Sequence, residues 1–182
     1  VAYLIDSGVD PENILLLTFT RKSAQEMVDR AGALIGSGSE RVRGGTFHSV
    51  ANMLLRRYGR AIGLEPSFTI LDRGDAEDLI ALVRTQLGLN EKDKRFPRKG
   101  KIAEMFSKSE NTLRSLDEIV VEEFDHFSDH LEELDKLHRA YETAKRQKQL
   151  VDYDDLLVLL RRLLMQDEAV RLSISSLYRY IL

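Results

Sequence analysis

A strand that runs directly into a helix, in the segment LLLTFTRKSAQEM at residues 15–27, constrains the fold of this chain most. An apolar run at residues 14–17 ends at polar residues, and a helical pattern follows to about Ile35. Short apolar runs between helices are typical of strands in a parallel sheet, which are buried on both faces. The sequence therefore predicts an α/β layer in which right-handed crossovers join the strands.

The segment GGTFHSVANMLLRRYG, at residues 44–59, repeats this arrangement. A second short strand is predicted near Val42, and a helix is predicted over residues 47–62 because apolar side chains recur there at helical spacing. Glycines at the end of a strand allow a backbone or a phosphate to approach closely. Each of the two predicted strands is thus followed by polar residues and by the start of a helix.

The two strand ends are candidate ligand sites, because parallel sheets bind ligands beyond the carboxyl ends of their strands. Hydroxyls and helix N-terminal amides suit a phosphate, and an exposed aromatic ring suits stacking on a base. The candidate nucleic-acid-binding residues are Thr18, Phe19, Thr20, Arg21, Lys22, Thr46, Phe47, His48 and Ser49. The alternative is that the threonines are strand residues or helix caps, and that Phe19 and His48 are core residues.

A mainly helical region follows the two strands. Residues 68–71 form a brief extended entry, and residues 72–150 show only helical patterns, the longest from about Phe124 to Lys148. A final helix over residues 153–165 and a strand over residues 178–182 complete the chain. We predict that a helical domain, residues 65–150, is inserted into an α/β domain formed by residues 1–64 and 151–182.

Five segments resemble the motifs of the UvrD/Rep type of superfamily 1 ATP-dependent DNA helicase. TFTRKSAQEM resembles the family's TFTNKAAxEM, and GGTFHSVANMLLRR resembles GTFHSxxxxLLR. FTILD at residues 68–72, VDYDDLL at residues 151–157 and YRYIL at residues 178–182 follow in the family's order. One such match would be weak, but five in order over nearly the whole chain are highly specific.

The resemblance implies the fold, the ligands and the roles of the candidate residues. It implies an α/β fold, with a partial RecA-like parallel sheet and a mainly helical inserted accessory domain. In this family two RecA-like domains hold ATP and magnesium, and single-stranded DNA lies across them in contact with the positions matched by the nine candidate residues. The insertion contacts DNA near the junction of single strand and duplex. Two residues depart from the motif, since Arg21 replaces asparagine and Ser23 replaces alanine.

The sequence contains no phosphate-binding loop of the form GxxxxGK[ST]. The only Gly-Lys pair, at Gly100 and Lys101, is followed by Ile102 and lacks the earlier glycine. Both ends of the chain are typical of a cut sequence, and the family's DExQD motif is expected just after Leu182. We therefore predict a helicase fragment that contributes part of a DNA-binding surface and is inactive alone.

Charge is arranged unevenly along the chain, although the net charge of −3 does not itself indicate a nucleic-acid partner. Six basic residues and one acidic residue lie between Lys92 and Lys101. Within that stretch the candidate duplex-contact residues are Lys94, Arg95, Arg98, Lys99 and Lys101, with a solvated loop as the alternative. Residues 117–135 contain nine acidic residues and no lysine or arginine, which predicts an acidic helix that is solvated or contacts a protein partner.

Two further patterns resemble metal sites. His126 and His130 in HFSDH are spaced like an inverted zinc-protease motif, but a third ligand is missing, and we predict no metal there. Asp152, Asp154 and Asp155 resemble a magnesium site of a nuclease, but helix N-terminal carboxylates are the better interpretation.

The whole protein is expected to be a helicase that moves along single-stranded DNA and unwinds duplex in DNA repair or replication, in the cytoplasm. The chain has no cysteine, which fits a reducing compartment, and no apolar run of the roughly 20 residues that cross a membrane. Two alternatives stay open at this point. In the first, the chain is a protein-interaction module derived from a helicase. In the second, it is the motor part of a helicase–nuclease of the AddA/RecB type.

Overall fold

The computed structural model describes residues 1–35, 41–89 and 95–182 of the chain. These residues form two compact units, one from Val1–Pro66 with Leu159–Leu182 and the other from Ser67–Val158. We call them unit 1 and unit 2. Lys94, a candidate for contact with duplex DNA, lies outside the described residues.

Helices and strands alternate in unit 1, whereas unit 2 is mainly helical. In chain order the elements are α1 Ala2–Asp6, β1 Ile14–Thr18, α2 Arg21–Ile35, β2 Arg43–Thr46, α3 Phe47–Tyr58, β3 Thr69–Ile70, α4 Arg73–Gln86, α5 Lys99–Thr112, α6 Leu116–Glu123, α7 Leu131–Gln147, β4 Leu150–Val151, α8 Tyr153–Gln166, α9 Glu168–Leu177 and β5 Tyr180–Ile181. Short 3-10 helices lie at Pro11–Asn13, Gly59–Ile62 and Asp125–His130.

The sheet of unit 1 is parallel, with β1 between β2 and β5. Along β1 successive side chains point to opposite faces. Leu15 packs on one face against a cluster that includes Val50 and Ile174, whereas Ile14 and Leu16 pack on the other. Both faces of β1 are therefore covered, and the predicted α/β fold with a partial parallel sheet is confirmed.

Unit 2 encloses a core of its own, made by α4 to α7 and the short parallel pair of β3 and β4. The side chains of Ile102, Met105, Ile119, Leu134 and Leu137 are fully buried at its centre. Their spacing along three helices reflects the helical patterns that predicted this region.

Three predictions about secondary structure are corrected. The helix predicted from Phe124 begins only at Leu131, because the buried Phe124 has a non-helical backbone and a 3-10 helix follows it. The acidic segment 117–135 is therefore not one helix, since it comprises most of α6, this 3-10 helix and the first turn of α7. Helix α9 and strand β4 were missed.

Candidate nucleic-acid interface

The ends of β1 and β2 lie side by side in unit 1. The two strands are paired in parallel, and Thr18 is the direct partner of Thr46 in the register. Residues 18–22 and 46–49 therefore lie at the same edge of the sheet, which we call the strand-end edge. The two candidate segments are therefore neighbours in unit 1.

Each strand end is joined to a helix by a threonine cap. The Thr20 Oγ1 atom accepts a hydrogen bond from the Ser23 amide at 3.1 Å, and the Thr46 Oγ1 atom accepts one from the Ser49 amide at 3.2 Å. Helices α2 and α3 thus begin at the strand-end edge. A helix start offers backbone N–H donors and the positive end of the helix dipole to an anion. The capping alternative is correct for both threonines, and it is compatible with anion binding.

Two phenylalanines are exposed at this edge. The side chain of Phe19 is 89% exposed and that of Phe47 is 40% exposed. Their ring centroids lie 5.5 Å apart with an angle of 43° between the planes. Phe19 is not a core residue, so that alternative is wrong. Exposed ring faces of this kind are suited to stacking on bases.

Gly44 and Gly45, at residues 44–45 of the segment GGTFHS, lie close to other parts of the protein. A Cβ atom on Gly45 would lie 2.5 Å from the Ser49 Oγ atom, and one on Gly44 would lie 3.4 Å from the Leu16 Cβ atom. Because Ser49 Oγ donates to the Thr46 carbonyl oxygen at 2.8 Å, the first turn of α3 lies close against β2. Close packing within the chain therefore restricts position 45, whereas a Cβ atom on Gly44 would make only an ordinary van der Waals contact.

The charged and polar candidates differ in exposure. Arg21 and Lys22 are exposed at the start of α2, and Lys22 has a distant partner in Glu26 at 4.0 Å. His48 is half-buried. Ser23, which departs from the family motif, shares a hydrogen bond of 2.8 Å with the Thr20 hydroxyl, so this substitution extends the cap. The strand-end edge thus combines two cations, two helix starts and two exposed rings.

The sequence matches the model of the UvrD/REP helicase N-terminal domain family over residues 1–182. The chain belongs to this family. A similar protein is the ATP-dependent DNA helicase PcrA of Staphylococcus aureus (strain Mu50), which is 31% identical over 159 residues, or 87% of this chain and 21% of that protein. PcrA of Staphylococcus epidermidis (strain ATCC 35984) is 32% identical over 159 residues, again 87% of this chain and 21% of that protein. The chain spans about a fifth of the length of these curated relatives.

The UvrD/REP family resemblance inferred from the five motifs is thus confirmed. In the described ranges of this family member, none of the helices is both long and apolar enough to cross a membrane.

The basic segment of unit 2 is partly neutralised by ion pairs. Lys99 pairs with Asp78, and Lys101 pairs with Glu104 at 2.7 Å. Arg95 and Arg98 are exposed. Phe96, which lies between them in the sequence, is buried, with the Arg84 guanidinium over its ring at 4.6 Å. Arg95, Arg98, Lys99 and Lys101 stay candidates for contact with a phosphate.

The acidic segment also makes internal pairs. Arg114 pairs with Glu122 at 2.7 Å, and Lys108 pairs with Glu123. Ser115 and Glu118 form a capping box at the start of α6. Part of this acidity therefore stabilises unit 2 itself.

The histidine pattern in this segment is not on one helical face as a zinc-protease motif requires, because residues 125–130 form a 3-10 helix. His130 instead packs edge-on against Phe96, with ring centroids 5.2 Å apart.

A buried ion cluster in unit 2 was missed by the sequence analysis. The ammonium group of Lys145, whose side chain is 4% exposed, lies 2.7 Å from Glu142 Oε1 and 2.8 Å from both Asp152 Oδ2 and Asp155 Oδ2. The Tyr141 hydroxyl donates to Asp152 Oδ2 at 3.0 Å. The helical spacing of Tyr141 and Lys145 and the VDYDD motif were visible, but nothing in the sequence placed them together.

The two aspartates also cap α8, which confirms the helix-terminal interpretation. The Asp155 amide donates to Asp152 Oδ1 and the Asp152 amide donates to Asp155 Oδ2, both at 2.9 Å. Burial raises the pKa of Asp155 to about 7, and the nearby charge of Asp152 adds to this. For Asp152, burial is outweighed by the charge of Lys145 together with hydrogen bonds from Lys145, the Asp155 amide and Tyr141, so the pKa is lowered. These carboxylates are engaged by Lys145 and by the helix start, an arrangement typical of a structural cluster.

Proposed function

We propose that this chain is part of the first motor domain of an ATP-dependent DNA helicase, and that the strand-end edge binds single-stranded DNA. The observation that supports it most is the pair of exposed rings, Phe19 and Phe47, beside two helix N-termini. Such an edge offers stacking for bases and backbone amides for phosphates within a few ångströms. Thr18, Thr20, Thr46 and His48 then position these groups, and Arg21 and Lys22 add charge toward phosphates.

The proposal leaves ATP and magnesium to the whole protein. The sequence of this chain contains no GxxxxGK[ST] loop, and Gly100 and Lys101 lie in the first turn of α5. The residues present therefore do not form a nucleotide site of the phosphate-loop type. We propose that the chain alone neither hydrolyses ATP nor unwinds DNA, and that its contribution is the DNA contact.

We propose further that unit 2 is the inserted accessory domain. Its exposed arginines, Arg95 and Arg98, are the candidates for contact with duplex near the single-strand junction. Replacing both by alanine is expected to make the plot of log affinity for junction DNA against log salt concentration less steep, by the amount that about one to two lost phosphate contacts would cause. A role in DNA repair or replication, a cytoplasmic location and a protein partner for residues 117–135 stay predictions.

The experiment uses the full-length protein and a labelled oligothymidylate, with binding followed by fluorescence anisotropy. Phe19→Ala and Phe47→Ala are each expected to weaken binding by about 1–3 kcal/mol, the range for loss of one aromatic–base stack. The matched control is Tyr3→Ala, which removes an aromatic side chain that is 79% exposed on α1 of the same unit. Equal affinity of both phenylalanine variants and the wild type would refute the DNA-binding proposal.

A further inference from the structure

Three potential metal ligands lie together in unit 2, apart from the strand-end edge. They are Glu110 on α5 and His138 and Glu142 on α7, and one ligand atom from each lies within 4.8 Å of the others. His138 and Glu142 are four residues apart, so they share one face of α7. The side chains are partly buried, and the three residues line a cavity of about 290 Å³. Among the described residues, no other group of this kind was found.

The imidazole of His138 has a buried nitrogen without a hydrogen-bond partner. Its Nε2 atom is buried, and its nearest ionic neighbour is Glu110 Oε1, at 3.8 Å, which is too long for a hydrogen bond. The ring is held in place by Phe106, with centroids 4.5 Å apart. A buried polar atom left unpaired is unfavourable. Nε2 therefore lies near the Glu110 carboxylate without a hydrogen bond to it, an arrangement that a cation between the two groups would satisfy.

The charges around the three residues favour a cation. Glu110, Glu142, Asp152 and Asp154 line this cavity, and among them Lys145 pairs with Glu142 and Asp152. The two other cations of the lining have partners outside it, since Arg73 pairs with Glu77 and Lys108 pairs with Glu123. Burial raises the pKa of Glu110, and the charge of Glu142 raises it further. Two carboxylates that oppose each other in this way are stabilised when a metal ion lies between them.

We propose that Glu110, His138 and Glu142 form a binding site for a divalent transition-metal ion, with Zn²⁺ as the best match. One imidazole and two carboxylates are ligands that zinc accepts at about 2.0–2.2 Å, with water in the fourth position. Ligand atoms around such an ion lie about 3–4 Å apart. Small side-chain rotations therefore close the site from the observed separation. Glu142 would bridge the ion and Lys145 through its two oxygens, and the ion would tie α5 to α7.

The test uses the full-length protein after treatment with a chelator, with ZnCl₂ titrated by isothermal calorimetry. One ion is expected to bind per chain with micromolar or lower dissociation constant. Glu110→Gln and His138→Gln keep the side-chain volume nearly constant and are each expected to weaken binding at least about tenfold. The matched control is Glu104→Gln, which changes another carboxylate of the same cavity and should leave the affinity unchanged.

Cobalt substitution provides a second readout that does not depend on stability. Co²⁺ bound by this ligand set should give visible absorption bands that are lost in Glu110→Gln and His138→Gln. Absence of stoichiometric Zn²⁺ binding to the wild-type chain would overturn the proposal. Equal binding by the wild type and both glutamine variants would overturn it as well, because the ion would then lie elsewhere.

Discussion

The rings of Phe19 and Phe47 lie 5.5 Å apart although they belong to segments separated by 28 positions in the sequence. The pairing of Thr18 with Thr46 in adjacent parallel strands produces this contact, because each ring follows its strand end by one residue. Both rings remain exposed. A large apolar side chain at 89% exposure gains little from the fold, so Phe19 is available for a ligand.

The two phenylalanines should act together on DNA. Because the rings are in contact, a base that stacks on one also touches the other, and the effects of removing them should not add. In the full-length protein, the loss of affinity in the Phe19→Ala/Phe47→Ala double variant should fall short of the sum of the single losses by at least about 0.5 kcal/mol. Fluorescence anisotropy with single-stranded DNA measures the affinities of the wild type, the two single variants and the double variant, which together form a double-mutant cycle. Strict additivity would mean that the rings contact the strand independently.

Gly45→Ala should destabilise unit 1 through the Ser49 hydroxyl. The added Cβ atom would lie 2.5 Å from Ser49 Oγ, so the hydroxyl must rotate and lose its bond to the Thr46 carbonyl oxygen. The expected cost is about 1 kcal/mol in the free energy of unfolding, measured by urea denaturation.

Ser49→Ala supplies the control for this substitution. It removes the same hydrogen bond, so adding Gly45→Ala to Ser49→Ala should cost much less than Gly45→Ala alone. Equal costs in the two backgrounds would show that the clash lies elsewhere.

Lys145→Met should destabilise the chain strongly. The substitution leaves Asp152 and Asp155 buried without their cation, and removing one member of a buried ion cluster typically costs about 3–5 kcal/mol. Chemical denaturation checks the effect. Lys136→Met, at an exposed position of the same helix, is the control and should change stability by less than about 0.5 kcal/mol. A loss below about 1 kcal/mol for Lys145→Met would contradict the structural role of the cluster.

Stability should fall in alkaline solution through the same cluster. The charges of Asp155, Asp152 and Glu142 outweigh burial and raise the pKa of Lys145, and burial raises the pKa of Tyr141. Above about pH 10 the unfolded chain releases these protons before the folded chain does, so the free energy of unfolding decreases as pH rises. Urea midpoints at increasing pH measure the decrease. Its slope should be shallower in Tyr141→Phe, and an unchanged slope would exclude Tyr141 as a contributor.

The strand-end edge could be predicted from the sequence because its signals are local. Residues 14–17 are all apolar and lead directly to TFTRKS, so the position of the strand end is unambiguous. The pairing of β1 with β2 then places Thr46 beside it. The caps made by Thr20 and Thr46 were foreseen as an alternative to ligand binding, and the structure shows that one threonine can cap a helix at a candidate site.

Other features depend on contacts that no local pattern reports. Strand β4 has two residues, too few to show alternation, and it forms by pairing with β3, which lies in the extended segment predicted at residues 68–71. The start of α7 shifted to Leu131 because Phe124 is drawn into the core. Helix α9 did have a signal, since Asp167 caps it by accepting from the Val170 amide at 2.9 Å.

Photo-cross-linking of the full-length protein to a single-stranded oligonucleotide containing 5-iodouracil tests the central claim most directly, because it reports which residues touch the bases. We predict that peptides containing Phe19 or Phe47 are the main cross-linked products, and that they are lost in Phe19→Ala/Phe47→Ala while Tyr3→Ala leaves them unchanged. Cross-links confined to peptides outside residues 18–22 and 46–49 would contradict the claim that the strand-end edge binds DNA.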